Sequence, residues 1–142
     1  MREGMGDEQP GIVLGFDFGT RRIGVALGNG ISRSARPLGI IERSAATERW
    51  RELAALIEHW QPRQLVVGVA RHPDGARHEM SARCERFARQ LEGRFRLPVA
   101  RVDERYSSAV VPRRSRPPRL DDDLAAALIL QQWFDEGAAR AC

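Results

Sequence analysis

The sequence contains no lysine, only two cysteines and no long apolar run. All 23 basic residues are arginine, and the net charge of +4 excludes the dense positive charge of a histone-like protein. Cys84 and Cys142 are too few and too far apart for a disulfide framework, and Cys84 falls on the apolar stripe of a predicted helix, where we expect a buried thiol. No stretch reaches the roughly 18 apolar residues of a membrane span, and residues 1–10 lack the apolar run of a secretory signal. We therefore expect a cytoplasmic protein without membrane association.

The length and composition predict one domain. At 142 residues and 42% apolar content, the chain is long enough to bury one core but not two. We predict a flexible leader at 1–10, a single domain at 11–137 and a flexible tail at 138–142. The sequence does not indicate an oligomeric state.

Apolar periodicity predicts an α/β fold. The predicted strands are Ile12–Phe16, Ile23–Leu27, Pro37–Ile41, Leu65–Val69 and Val99–Val102, and the helices are Thr47–Trp60, about Met80–Leu91 and Leu124–Phe134. Ser44 or Thr47 is available to cap the first helix, and Pro62 marks its end. Three antiparallel strands followed by alternating helices and strands predict a mixed five-stranded sheet flanked by helices.

Acidic residues stand at three points where the predicted elements begin or end. Asp17 closes the first strand, where either a metal ion or hydrogen bonds from the Gly19-Thr20 turn would offset the cost of burying its charge. Asp103-Glu104 follows the fifth strand, and alternation predicts that only one of the two faces a site there. The alternative use of these acids is a salt bridge with Arg101 or Arg105. Asp121–Asp123 opens the last helix, where capping explains at least one of the three.

Three carboxylates that converged in space would suit Mg²⁺, which prefers oxygen ligands. Two divalent ions held by three carboxylates leave a net positive site for a phosphodiester, whereas the carboxylates alone would repel it. Two such ions roughly 4 Å apart can activate a water and stabilise the leaving oxygen.

A basic, proline-rich segment separates Ser108 from Asp122. Three prolines exclude a regular helix there, and the segment concentrates positive charge at Arg113, Arg114, Arg116 and Arg119. These arginines are candidates for phosphate contacts, with a solvated linker as the alternative.

Four segments, taken in order, carry a family resemblance. GFDFGTRRIGVALGN, LVVGVARHPDG, VDERYSS and DDLAAALILQQWFDEG together resemble the YqgF/RuvX family, whose members are named as pre-16S rRNA nucleases and as Holliday junction resolvases. The resemblance runs from about Gly11 to Gly137, and its first and third segments are specific. It implies a ribonuclease H-like fold and a nuclease that depends on Mg²⁺, or alternatively on Mn²⁺.

The resemblance also assigns residues. The family's catalytic, metal-binding acids match Asp17, Glu104 and Asp122, the last aligned by the Ala-Ala and Ile-Leu pairs that follow it. Motif positions expected to contact substrate are Thr20, Arg21, Arg105, Ser107 and Ser108, to which we add Arg113 and Arg114 of the basic segment.

The chain departs from the family pattern at two places. Residues 68–72 read Gly-Val-Ala-Arg-His where the family usually has Gly-Leu-Pro-Leu-Asn, so His72 is a candidate replacement for an Asn contact. The connection from Ser108 to Asp122 is also shorter than in relatives, and this bears on substrate selection more than on cleavage chemistry.

Three functions compete at this point. The first is hydrolysis of RNA in maturation of the 16S rRNA 5′ end, with precursor rRNA as the partner. The second is a Holliday junction endonuclease acting on branched DNA, since the same metal chemistry cuts DNA. The third is a nucleic-acid-binding module without catalysis, in which the arginines of the basic segment grip phosphates.

Overall fold

Five strands form one mixed sheet in the computed structural model. They are β1 (Ile12–Phe18), β2 (Arg22–Asn29), β3 (Ser34–Glu42), β4 (Gln64–Val69) and β5 (Val99–Asp103), in the spatial order β3-β2-β1-β4-β5. Strand β2 is antiparallel to β1 and β3, whereas β1, β4 and β5 are mutually parallel. The three parallel strands therefore end at the same edge of the sheet, as the predicted α/β fold requires.

The structure describes residues 11–19, 22–42, 45–69, 75–103 and 121–141, except for the side chains at 75–80, 121–122 and 138–141. Within these ranges the helices are α1 (Ala46–Trp60), α2 (Gly75–Phe95) and α3 (Asp121–Ala141). Every predicted strand and helix is confirmed, and most extend beyond their predicted ends. Helix α3 continues past residue 137, where the sequence predicts the domain to end.

The predicted cap of α1 is wrong. Ala45 occupies the N-cap position, and no side chain caps the helix there, whereas the sequence pointed to Ser44 or Thr47. The predicted end before Pro62 is confirmed: the helix stops at Trp60, and Gln61 turns the chain in the left-handed region with φ 50° while its N–H donates to the Ile57 carbonyl at 2.9 Å. The hydrogen bond from a C-terminal left-handed residue satisfies a carbonyl that the helix itself leaves unpaired.

Alternation along the strands divides the core into two layers. Leu14 and Phe16 of β1 pack with residues of α1 and α2 such as Leu53 and Phe87, whereas Val13 packs with residues of α3. Successive strand residues point to opposite faces, so a sheet covered on both sides needs apolar residues at nearly every central position. Cys84 belongs to the α1/α2 side and is 1% exposed, which confirms the predicted buried thiol.

The tryptophans of α1 pack against the core. Trp50 and Trp60 are half-buried against the layer formed by α1 and α2. No helix within the described ranges is long and apolar enough to cross a membrane.

Candidate active site

Asp17 lies near the end of β1, on the face of the sheet that α3 covers. Along β1, Val13 packs in the α3 layer, and a Cβ added at Gly15 would lie 3.0 Å from the Cβ of Leu130 in α3. Asp17 continues this same alternation and is half-buried. It pairs with Gly24 of β2 in the antiparallel ladder, so its backbone is fixed from one side by a regular strand.

The turn after Asp17 is tight. The Gly19 N–H donates to the Arg22 carbonyl at 2.9 Å, and a Cβ at Gly19 would lie 2.7 Å from that oxygen. Contacts that short with a backbone atom exclude any other residue without movement of the turn. Gly19 thus fixes how the chain leaves the Asp17 position, although Thr20 and Arg21 themselves lie outside the described residues.

The register of the parallel strands brings β5 level with Asp17. Phe16 pairs with Val67 and Gly68 with Val102, so Asp17, Gly68 and Val102 stand on one rung of the sheet. Val66 and Val102 both belong to the α3 layer, which puts Gly68 on the same face as Asp17. Strands β1 and β5 are roughly 10 Å apart across β4, and the glycine leaves the intervening strand without a side chain on that face.

Gly68 was not predicted to shape the site. In the sequence, Gly68 is only a glycine near the end of a predicted strand. Its position beside Asp17 depends on how β1 and β4 pair, which the sequence does not specify. A side chain at this rung would project between the ends of β1 and β5.

Helix α3 begins at the same edge of the sheet. Its residues Ala126 and Leu130 approach Gly15, and Leu130 and Phe134 approach Gly28, which pairs with Val13 further from the edge. The helix therefore runs from the edge inward. Position 122 lies four residues before Ala126, about 6 Å along the helix axis. Asp17 lies two residues after Gly15, about 6.7 Å along the strand, so the first turn of α3 comes level with Asp17.

The buried stripe of α3 discriminates among its three aspartates. At about 100° per residue, positions 122 and 123 fall on the half of the helix that carries Ala126 and Leu130, and position 121 falls on the other half. Asp123 is half-buried, and Asp122 is described by its backbone alone. The helix geometry thus separates Asp121 from the other two, a distinction that apolar periodicity in the sequence did not make.

Asp103 belongs to the opposite face. The alternation Ala100 and Val102 toward α3, with Arg101 toward α2, assigns Asp103 to the α2 side, away from Asp17. Its carbonyl accepts a hydrogen bond from the Gln132 Nε2 of α3 at 3.0 Å, which ties the end of β5 to that helix. Of the Asp103-Glu104 pair, Asp103 is therefore not on the face that carries Asp17.

An ion-pair network holds β5 against α2. Arg101 contacts Glu92 at 2.7 Å and Glu85 at 3.2 Å. The hydrogen bond from Arg101 holds the pKa of Glu92 below its usual 4.5, and the Glu92 and Glu85 carboxylates raise the pKa of Arg101. The sequence left open a salt bridge between the acids after the strand and Arg101 or Arg105, and the structure shows Arg101 paired with carboxylates on α2.

The structure describes only part of the predicted site. Asp17 is described in full and Asp122 by its backbone, and the other predicted residues lie outside the described ranges: Thr20, Arg21, Glu104, Arg105, Ser107, Ser108, Arg113 and Arg114, together with His72. Among the described side chains, no three His, Cys, Asp or Glu residues come together as a metal site requires.

The sequence matches a family model and named relatives over most of its length. A family model named RuvX and described as Holliday junction resolvase matches residues 11–136. A protein of Polynucleobacter necessarius named "Putative pre-16S rRNA nuclease" is 47% identical over 127 residues, which cover 89% of this chain and 86% of the relative. A protein of the same name from Nitrosomonas europaea is 49% identical over 134 residues, covering 88% and 90% respectively.

Solved structures share the fold. Thermus thermophilus RuvC in complex with a Holliday junction superposes with a TM-score of 0.57 at 17% identity, covering 89% of this chain and 95% of that one. The fowlpox virus resolvase bound to Holliday junction DNA gives a TM-score of 0.54 at 10% identity, covering 88% and 97%. The predicted ribonuclease H-like fold is confirmed.

Proposed function

The chain belongs to the RuvX family, and from that premise we propose that it is a metal-dependent nuclease whose catalytic acids are Asp17, Glu104 and Asp122. The single observation that supports this site is topological. Strand β1 brings Asp17 to one edge of the sheet on the α3 face, β5 ends at that edge, and α3 begins there.

The alternation of β5 supports Glu104 as the second acid. Val102 lies on the α3 face, so alternation predicts that face for position 104, the same face as Asp17. Glu104 lies outside the described residues, and its assignment rests on this pattern and on the family motif. The long Glu side chain suits a position about 10 Å from β1, because it must reach across β4.

The residues at this edge fit a divalent cation. Asp17 is half-buried on the rung that it shares with Gly68, which carries no side chain, and carboxylate oxygens are the ligands that Mg²⁺ and Mn²⁺ take. Asp17, Glu104 and Asp122 would hold the ion, with Asp123 as a further candidate on the same half of α3. Such ions, when bound, supply a water activated near neutral pH and charge stabilisation for the leaving oxygen.

The protein's own part is positioning. The β1–β2 ladder and the Gly19 turn fix the backbone at Asp17, and the Gln132 hydrogen bond fixes the end of β5 relative to α3. Carboxylates held by rigid strands and a helix need little rearrangement when the substrate arrives, which lowers the barrier. The predicted contacts of Thr20, Arg21, Arg105, Ser107, Ser108, Arg113 and Arg114 would bind the phosphate chain on either side of the cut.

We propose precursor 16S rRNA as the substrate, because relatives 47% and 49% identical over most of the chain carry that function in their names. The reaction would then take place in the cytoplasm, where the precursor is processed. Branched DNA is the second candidate, since the family description is Holliday junction resolvase.

A cleavage assay separates these possibilities. With Mg²⁺, wild-type protein should shorten a 16S rRNA precursor with a 5′ extension faster than it cuts a four-way DNA junction. Asp17→Asn should lower the rate roughly 10²- to 10³-fold while the protein stays folded, because losing a metal ligand removes several kcal/mol of charge stabilisation.

Asp103→Asn is the matched control, since Asp103 lies at the same edge but on the other face. It should retain activity within about threefold. Full activity of Asp17→Asn would reject the site, and preferential cutting of the junction would reverse the order of the two substrates. Salt-sensitive binding without cleavage in any metal would favour the non-catalytic binding module.

A further inference from the structure

A cleft on the α1/α2 side opens next to the candidate active site. It has a volume of about 300 Å³ and is bordered by the end of β1, by β2, and by the facing sides of α1 and α2. Phe18, the residue after Asp17, lines it, so adjacent residues of β1 serve opposite faces of the sheet. We call this space the arginine cleft, after Arg49, Arg83 and Arg86 on its rim.

The floor of the arginine cleft is aromatic. The rings of Phe18 and Phe87 stack with centroids 4.6 Å apart and an interplanar angle of 27°, and Trp50 lies 5.6 Å from Phe87. The Arg94 guanidinium lies 4.2 Å from the Trp50 ring centre, which helps to fix that indole. Phe18 and Trp50 are only half-buried, so part of this apolar surface stays accessible.

The rim of the cleft is cationic. Arg49 extends over Phe18, 6.0 Å from its ring centre, and Arg83 and Arg86 stand opposite it on α2. None of the described residues that line the cleft is acidic. An aromatic floor with arginines around it matches a nucleotide, whose base stacks on rings and whose phosphates accept hydrogen bonds from guanidinium groups.

We propose that the arginine cleft binds an unpaired nucleotide of the substrate strand, next to the bond cut at Asp17. The inference rests on the proposed nuclease function for the path of the strand, but the binding site itself does not need catalysis. Phe18 follows Asp17 in β1 and lines the cleft, so a strand whose scissile phosphate sits at Asp17 passes within one residue of it. Bases in a duplex are stacked within the helix and cannot enter the cleft, so the site selects single strands.

Paired variants with equal loss of charge test the proposal. The double variant Arg83→Gln/Arg86→Gln removes two cations from the cleft. The control Arg51→Gln/Arg89→Gln removes two cations from exposed positions outside the cleft, one on α1 and one on α2. Binding to a single-stranded RNA oligonucleotide is measured by fluorescence anisotropy in EDTA, so that no cleavage occurs. The cleft pair should bind about tenfold more weakly, and the control pair within about twofold of wild type.

The salt dependence gives a second readout. Each phosphate contact to a single strand contributes about 0.7 to the slope of log K against log salt, so the cleft pair should lower the slope by about 1.4. The control pair should leave it unchanged. Equal effects of the cleft pair and the control pair on RNA affinity and on the slope would overturn the proposal. It would also be overturned if the cleft pair lost as much affinity for a blunt DNA duplex as for the single-stranded RNA.

Tryptophan fluorescence reports the stacked base directly. Binding of the oligonucleotide should quench wild-type emission, and Trp50→Phe should lose most of that quenching while retaining a ring in the floor. Unchanged quenching in Trp50→Phe would place the base elsewhere and overturn the proposal. If Asp17→Asn keeps full nuclease activity, the proposed active site is wrong, but the binding results for the cleft still stand. If the cleft variants bind RNA as the wild type does, the proposed cleft site is wrong, but the proposed active site is unaffected.

Discussion

The two faces of the sheet are built differently, and our two proposals place the chemistry on one face and recognition on the other. On the α3 face, glycines and alanines let the helix approach the strands closely, as at Gly15 and Gly28 beneath Leu130. On the α1/α2 face, large aromatic rings line a cleft of about 300 Å³ between the helices. The acids that we propose as catalytic are assigned to the closely packed face, and the arginines and rings of the cleft lie on the open one.

Close packing suits a metal site. Coordinating oxygens must be held within a fraction of an ångström, and a helix locked against two strands supplies that rigidity. Recognition of a flexible single strand tolerates looser geometry, because stacking and phosphate contacts accept a range of positions. The comparison predicts that substitutions on the α3 face lower turnover or stability, and that those in the arginine cleft weaken binding.

The largest effects should come from the acids of the α3 face. Glu104→Gln and Asp122→Asn should each lower the rate of Mg²⁺-dependent cleavage roughly 10²- to 10³-fold, as expected for Asp17→Asn. Asp121→Asn, on the other half of α3, should change the rate by less than about threefold. Single-turnover kinetics at saturating enzyme measure these rates. A loss of rate in Asp121→Asn as large as in Asp122→Asn would contradict the assignment of Asp121 to the half of α3 away from the site.

The close approach of α3 can be tested through stability. A Cβ at Gly28 would lie 2.7 Å from Leu130 Cδ2 and 2.9 Å from the Phe134 ring, so Gly28→Ala should lower the free energy of unfolding by about 1–3 kcal/mol. At Gly39 of β3 nothing lies within 4 Å of the added Cβ, and Gly39→Ala should be neutral or slightly stabilising. Urea denaturation measures both, and equal stability of the two variants would contradict the close packing.

A smaller effect is expected on the α2 side of β5. Because the folded-state pKa of Glu92 lies below its usual 4.5, its ion pair with Arg101 stabilises the fold above that pH and loses its contribution as the pH falls through the folded value. Glu92 is 41% exposed, so solvent screens the pair, and Glu92→Gln should cost only about 0.5 kcal/mol at pH 7.

The pH dependence checks that assignment. The gap in unfolding free energy between wild type and Glu92→Gln should close in acid below pH 4.5. A gap that widened in acid would mean that the carboxylate is not stabilised by Arg101.

Much of the fold could be predicted from the sequence because its signals are local. The apolar run from Ile12 to Phe16 and the stripe from Trp50 to Trp60 each specify an element through their own periodicity. The ends of the elements were harder to predict. Strands β2 and β3 extend beyond their apolar segments, because the hydrogen bonds between them continue through polar residues such as Ser34. The N-cap of α1 was mispredicted because Ser44 and Thr47, which carry side-chain hydroxyls, stand close to Ala45, whereas Ala45 has no side-chain oxygen.

The site could be predicted only in part, because it depends on spatial register. Asp17 stands out in the sequence as a charge inside an apolar strand, and the structure assigns it a face. Gly68 carries no such signal, and its role follows only from the rung it shares with Asp17. Asp121 and Asp122 are chemically equal in the sequence, and only the buried stripe of α3 separates them.

Titration with Mn²⁺ in the absence of substrate tests the central claim most directly, because it measures whether acids distant in the chain share a cation. The wild-type protein and Asp103→Asn should bind Mn²⁺ with similar affinity. Asp17→Asn, Glu104→Gln and Asp122→Asn should each weaken binding by at least about tenfold, since each removes a charged ligand from one site. Unchanged Mn²⁺ affinity in all three of these variants would contradict the account.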